Sequence, residues 1–199
     1  NEGTPVADRY LDVANSYYNE SPTLTSFPGE ANQLWWTFDP RIGLTFQAIE
    51  TPVFHEAMAM RLSERALTLD PASERAVSLW IASNFSREID GTAGLENPAY
   101  GKDRRESMYY AVAAGSSASQ RVLARAIDDT DTALARKAIA ATEQTAGGSG
   151  LWEGLGSRKP LLEALRYSNR RVQYESALAL GAAQPRQPQP RQQRQIALR

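Results

Sequence analysis

At 199 residues with 42% hydrophobic side chains, the chain has enough apolar material for one sizeable core or two small ones. A formal net charge of −1 argues against a dedicated nucleic-acid binder, which normally carries a basic excess. The absence of cysteine excludes disulfides, thiolate metal sites and cysteine nucleophiles, and no run of about 18 apolar residues is present to span a bilayer.

The first residue is Asn1 rather than Met, without a basic start leading into an apolar stretch. This leaves a processed, exported bacterial protein as one expectation. Residues 4–19 predict a helix with Thr4 as cap and Pro5 in the first turn, where its missing N–H costs nothing. Val6, Tyr10, Val13, Ala14, Tyr17 and Tyr18 fall near one face of it. Residues 20–50 lose this period, because Pro22, Pro28, Gly29, Pro40 and Gly43 interrupt it. Trp35-Trp36-Thr37-Phe38 holds strand-forming types, but a short run without a visible partner strand reads as part of a long ordered loop, with a short helix around residues 30–36. Trp35 and Trp36 can anchor a partner, since Trp is enriched in binding hot spots; the simpler expectation is that they staple the loop over the first helices.

Thr51-Pro52 opens a strong helix over residues 52–69, in which Phe54, Met58, Leu62, Ala66 and Leu69 recur at helical spacing. Asp70-Pro71 ends it, since the residue before proline avoids the helical region. Ser73 caps the next helix, which turns Val77, Trp80, Ile81, Asn84 and Phe85 inward, and Gly91, Gly94 and Pro98 mark a loop reaching residue 102. Alanine-rich helices follow at 103–114, 117–128 and 131–146, with Gly115 and Asp131 as stop and cap. Gly147-Gly148-Ser149-Gly150 reads as a flexible loop pinned by Trp152, and residues 158–167 and 170–183 form a last pair. The tail, 184–199, holds six glutamines, four arginines and no acid. It cannot bury enough surface to offset its ordering entropy, and reads as a linker. The expected organisation is an irregular helical part (1–102), a repeat-like part (103–183) and that tail.

The last helices recur. Ala126, Leu134 and Ala141 precede Ala164, Val172 and Ala179 by 38 positions each, an interval typical of stacked helical hairpins. Leu161, Leu162, Ala164 and Leu165, the turn residue Asn169, then Arg171-Val172 and Ala177-Leu178-Ala179-Leu180-Gly181 together resemble a HEAT-type repeat. The upstream copy has Asp128-Asp129 at the turn, no arginine before Leu134, and Arg136 where Tyr174 stands. The helix carrying Ala59 and Ala66 and ending at Pro71 is similar to the second half of a tetratricopeptide repeat, without the first half. Both resemblances imply an all-α, right-handed superhelix of stacked hairpins that binds another protein, or other domains of its own parent chain, and needs neither a cofactor nor a reaction. Arg136, Lys137, Arg170, Arg171 and Tyr174 are the candidate partner-binding side chains on the inner helices, joined by Trp35 and Trp36.

Two other classes stay open. A nucleic-acid-binding repeat protein of the alkyl-base DNA glycosylase type needs Arg121, Arg125, Arg136, Arg170 and Arg171 on one concave face free of acids. A structural spacer of an envelope or secreted protein needs no groove with exposed aromatics. Catalytic motifs are absent. His55, the only histidine, lacks the second histidine of HExxH and reads as a structural or surface histidine. The glycine run lacks the GK[ST] ending and preceding strand of a phosphate loop, and Leu151 stands where GxSxG requires its last glycine. Asp128, Asp129 and Asp131 are too few for a calcium loop and suit helix capping. No metal site follows, and Asn84-Phe85-Ser86 matches the glycosylation sequon inside an expected packed helix.

Overall fold

A computed structural model describes residues 3–91 and 97–182. Gly94 and the tail lie outside the described residues. The elements run α1 (Val6–Tyr18), β1 (Asn32–Asp39), β2 (Gly43–Glu50), α2 (Thr51–Leu69), α3 (Glu74–Asp90), α4 (Ser107–Ala114), α5 (Ser116–Asp128), α6 (Thr132–Thr145), α7 (Gly148–Glu153), α8 (Pro160–Ala164) and α9 (Arg170–Ala182). The chain is therefore mostly helical, but the expectation of an all-α fold is corrected by a two-stranded antiparallel sheet. What read as a loop with a short helix at 30–36 is β1, and residues 43–50 supply its partner, with Leu34 opposite Ala48, Trp36 opposite Phe46 and Phe38 opposite Leu44.

The expected caps hold at two helices. Ser73 Oγ accepts from the Ala76 amide at 3.3 Å and Asp131 Oδ1 from the Leu134 amide at 2.9 Å. At α9 the turn residue Asn169 accepts from the Arg171 amide at 2.9 Å. Helix α1 differs: Pro5 rather than Thr4 sits at its N-cap, without a side-chain cap. The glycine run differs too. It forms the short helix α7, whose Gly150 carbonyl accepts from Gln120 Nε2 at 3.0 Å, and buried Leu151 fastens it while Trp152 stays partly exposed.

Helix α1 packs on α2, α2 on α3, α5 on α6, and α6 on α9. The larger core spans the chain from α3 to α9 around Phe85, Leu123, Leu134, Ile139, Leu161 and Val172. All six members of the recurring pairs, Ala126/Ala164, Leu134/Val172 and Ala141/Ala179, are fully buried within it. A second cluster joins Leu11 and Ala14 of α1 to Ala66, Ala76 and Leu79. A third fixes the hairpin to α2 through Trp35, Ile49, Val53, Phe54 and Ala57. The first turns of α2 are consequently covered all round: Val53, Phe54, His55, Glu56 and Ala57 are all buried.

Candidate functional site

The hairpin is anchored at its base by Gln33, which is fully buried. Its amide accepts from the Phe27 N–H at 3.1 Å and donates to the Phe27 carbonyl at 2.8 Å and to Thr51 Oγ1 at 3.1 Å. Thr51 Oγ1 in turn donates to the Glu30 carbonyl at 2.7 Å. Successive strand residues face opposite sides. The inner side places Trp35 and Ile49 on α2; farther out it carries Thr37 and Thr45, whose hydroxyls are 3.0 Å apart. The outer side carries Asn32 opposite Glu50 at its base and is apolar beyond them: Leu34, Trp36 and Phe38 on β1, with Leu44, Phe46 and Ala48 opposite. Trp36 and Phe46 lie with ring centroids 5.1 Å apart. Trp36, Phe38, Leu44 and Phe46 of this row, together with Ile42 at the tip, are 43% to 72% exposed. Every residue from 36 to 42 is exposed, so the distal half of the hairpin projects past the helices.

Beneath the inner side lies a cleft between the hairpin, α2, the end of α3 and residues 97–104. It comprises a cavity of about 290 Å³ reaching Trp35, Arg61 and Glu64 and a neighbour of about 540 Å³ reaching Gln47 and Lys102; the two share Arg87, Tyr100 and Arg104 as walls. The arginines stack on the aromatic rings: Arg61 sits 3.4 Å above Trp35, Arg87 3.8 Å from the centre of Tyr100, and Arg104 5.2 Å from it. Arg87 is held by Asn84 Oδ1, at 3.0 Å from Nε and 2.9 Å from Nη2, and by Glu88 at 3.3 Å. Arg104 Nη1 donates to Glu64 at 3.1 Å. Burial pushes the Arg61 guanidinium below the usual arginine range and the Tyr100 phenol upward.

A third concave region, about 480 Å³, opens between the end of α1 and the start of α2, with Glu20, Thr25, Thr51, His55 and Asp90 in its wall. His55 is buried, as expected of a structural histidine, with its ring 5.8 Å from Phe54 and 6.2 Å from Tyr17. Its Nδ1 has no hydrogen-bond partner among the described residues, and burial pushes its pKa down against the opposing pull of Glu20. The adjacent Glu56 is 2% exposed and its Oε2 has no hydrogen-bond partner among the described residues. Burial first, then the nearby Asp90 and Glu20 charges, push its carboxyl up to about 8. This region can therefore store a proton at neutral pH. Sequence spacing could not show it, because Glu20 and Asp90 arrive from the far ends of other helices.

The seven expected partner-binding residues do not form one surface. Trp35 is buried as a staple under Arg61, whereas Trp36 is exposed on the outer row. Arg136 grips Glu175 with Nε and Nη2 at 3.0 Å and 2.9 Å, and Arg171 Nε donates to the same carboxylate at 3.1 Å. Lys137 Nζ donates to Glu88 at 2.5 Å, and Ser107 Oγ makes a second, very short bond to that carboxylate. Burial acts to raise the Glu88 pKa, but the hydrogen bonds from Lys137 and Ser107 outweigh it and hold the carboxyl below its ordinary value. Tyr174 stands exposed on α9 one turn before exposed Leu178, and Arg170 is exposed at the start of that helix.

The five arginines a nucleic acid would need are largely engaged inside the fold. Arg121 pairs with Glu74, Arg136 and Arg171 with Glu175, and Arg125 donates to Asn15 at 2.9 Å beneath Tyr18. Asp128 binds Arg158: two hydrogen bonds at 2.7 Å and 2.8 Å hold its carboxyl below the usual range. Asn84 of the Asn84-Phe85-Ser86 sequon is buried and accepts from Arg87, as a chance match requires. Compared with protein-family models, curated proteins and solved structures, the chain matches none of them.

Proposed function

We propose that this chain is a non-catalytic protein-binding module whose helical body holds the hairpin out as its contact element. The later helices are read as HEAT-like hairpins stacked into a right-handed superhelix, which supplies rigidity and spacing. The observation that carries the reading is the apolar outer row of the hairpin. A solvated hairpin face is ordinarily polar and its packed face apolar. Here the outward positions beyond the basal Asn32–Glu50 pair are Leu34, Trp36, Phe38, Leu44, Phe46 and Ala48, and the inward ones include Gln33, Thr37, Thr45 and Gln47. A contiguous exposed apolar patch marks an interaction surface, and its aromatic composition is that of a binding hot spot. The row also disfavours a plain structural spacer.

The occupant is the apolar face of another protein rather than a lipid surface. Interfacial membrane binding adds a basic rim to the apolar face, whereas at this tip Arg41 is matched by Asp39. The test places a photo-crosslinking amino acid at Phe38 and repeats the experiment with Phe46→Ser. A discrete crosslinked polypeptide that survives high salt and disappears in Phe46→Ser, at unchanged melting temperature, supports the reading. Hot-spot truncation predicts about thirtyfold weaker association for that variant. Co-sedimentation with neutral or acidic vesicles, or no crosslink at all, overturns it. Light scattering separates a second copy of this chain from a different partner.

A further inference from the structure

We propose that the cleft under the hairpin binds an oxyanion, a carboxylate or a phosphate group, carried on a small flat apolar body.

Three guanidinium groups, Arg61, Arg87 and Arg104, line the inner cavity, and among the described lining residues Glu64 is the one carboxylate. That carboxylate is already engaged. It accepts from Arg104 Nη1 at 3.1 Å and from the Trp80 indole N–H at 3.0 Å. Arg87 is likewise held from behind by Asn84 and Glu88.

Arg61 is different. It lies flat on Trp35 at 3.4 Å, half-buried, and its N–H donors make no hydrogen bond among the described residues. A guanidinium presents five donors in a planar fork that matches a carboxylate or phosphate in two parallel bonds. Stacking on an indole fixes the plane of that fork before any ligand arrives, which lowers the ordering cost of binding. A partly desolvated cation whose donors are unused gains most from an incoming oxyanion, because removal from water has already weakened its hydration.

The space then sets the size of the body. The inner cavity, about 290 Å³, is at the lower end of small-molecule sites and continues past Tyr100 into the larger one. Its apolar walls are Met60, Pro98 and the Tyr100 and Trp35 rings, which favour a planar group beside the charged head. This site uses the inner side of the hairpin, and the protein-binding reading uses the outer side, so either can fail without the other.

The experiment is a titration followed by the assigned Trp35 indole N–H and Arg61 Nε–H resonances. The probes are benzoate, phenyl phosphate and, as the uncharged control, benzyl alcohol. Saturable shifts at both groups with benzoate or phenyl phosphate are expected, and the stronger of the two says whether the oxyanion is a carboxylate or a phosphate. Arg61→Met is expected to weaken binding by about tenfold or more. Should Arg61→Met disturb the Trp35 seat, Arg61→Lys keeps the charge and loses the fork; its melting temperature reports folding, and benzoate binding still falls by about fivefold. No saturable shift with either anion, equal binding of benzyl alcohol, or unchanged affinity in a folded Arg61 variant overturns the proposal.

Discussion

Glu56 shows how a single buried group sets the pH response of the molecule. In the fold its carboxyl titrates at about 8, and in the unfolded chain at the ordinary 4.5. Between those values the folded state keeps a proton that the unfolded state has released, so stability falls as pH rises and levels off above the folded value. His55 acts in the opposite sense. Its pKa is pushed below the ordinary 6.5, so its contribution is lost only as pH falls, and it is silent in alkali. The alkaline limb therefore isolates Glu56. Urea unfolding should show about 1–2 kcal/mol lost between about pH 7 and about pH 9 in the wild type. A nearly flat line is expected for Glu56→Gln; the same slope in both proteins would remove Glu56 as its source. His55 stands out in the sequence as its only histidine, whereas nothing in the spacing marks Glu56. The reason is local: a helical stripe assumes one covered face, whereas the start of α2 is enclosed by α1, the hairpin and the end of α3.

The hairpin shows where helical periodicity and breaker residues mislead. Pro40 and Gly43 break helical periodicity, yet Pro40 lies in a tight turn between strands and Gly43 opens β2. Asp39 Oδ1 accepts from the Arg41 and Ile42 amides at 2.7 Å and 3.3 Å, and Gly43 takes φ +86° to swing the chain into β2. The alternation Leu34, Trp36, Phe38 against Leu44, Phe46, Ala48 was present in the sequence, but an apolar row facing solvent looks like no usual strand pair. A Cβ on Gly43 would meet nothing within 4 Å, so a substitution there acts through backbone conformation alone. Gly43→Val is expected to cost about 1–3 kcal/mol of local hairpin stability. Gly43→Asn, which tolerates the left-handed region, is expected to cost much less. Amide hydrogen exchange over residues 34–48 reads this, with α5 and α6 unchanged in both variants. Equal protection in the two variants would mean that the turn does not set the register. In the later helices the 38-position recurrence follows residues that meet in one core, so helical spacing alone marks their buried positions.

At the scale of the whole molecule, α3 decides whether the chain unfolds as one unit. The composition shift near residue 102 suggests a division there, but α3 gives Ala76 and Leu79 to the cluster with α1, and Ile81, Ala82 and Phe85 to the core that runs on to α9. Polar ties cross the same point. Arg125 of α5 reaches Asn15 of α1, Arg121 of α5 reaches Glu74 of α3, and Lys137 of α6 reaches Glu88 of α3. Such exposed or half-exposed pairs contribute little stability each; their value is in fixing how the two clusters sit on one helix. The main coupling is Phe85, fully buried where both halves depend on the position of α3. Phe85→Ala removes a ring from a closed core and should cost about 3–5 kcal/mol. If α3 couples the halves, that loss shifts one common transition, and the signals of Trp35 in the first half and Trp152 in the second move together. Should Trp152 shift alone while Trp35 keeps its midpoint, the two clusters are separately stable, and the hairpin would stay folded after the later helices have melted.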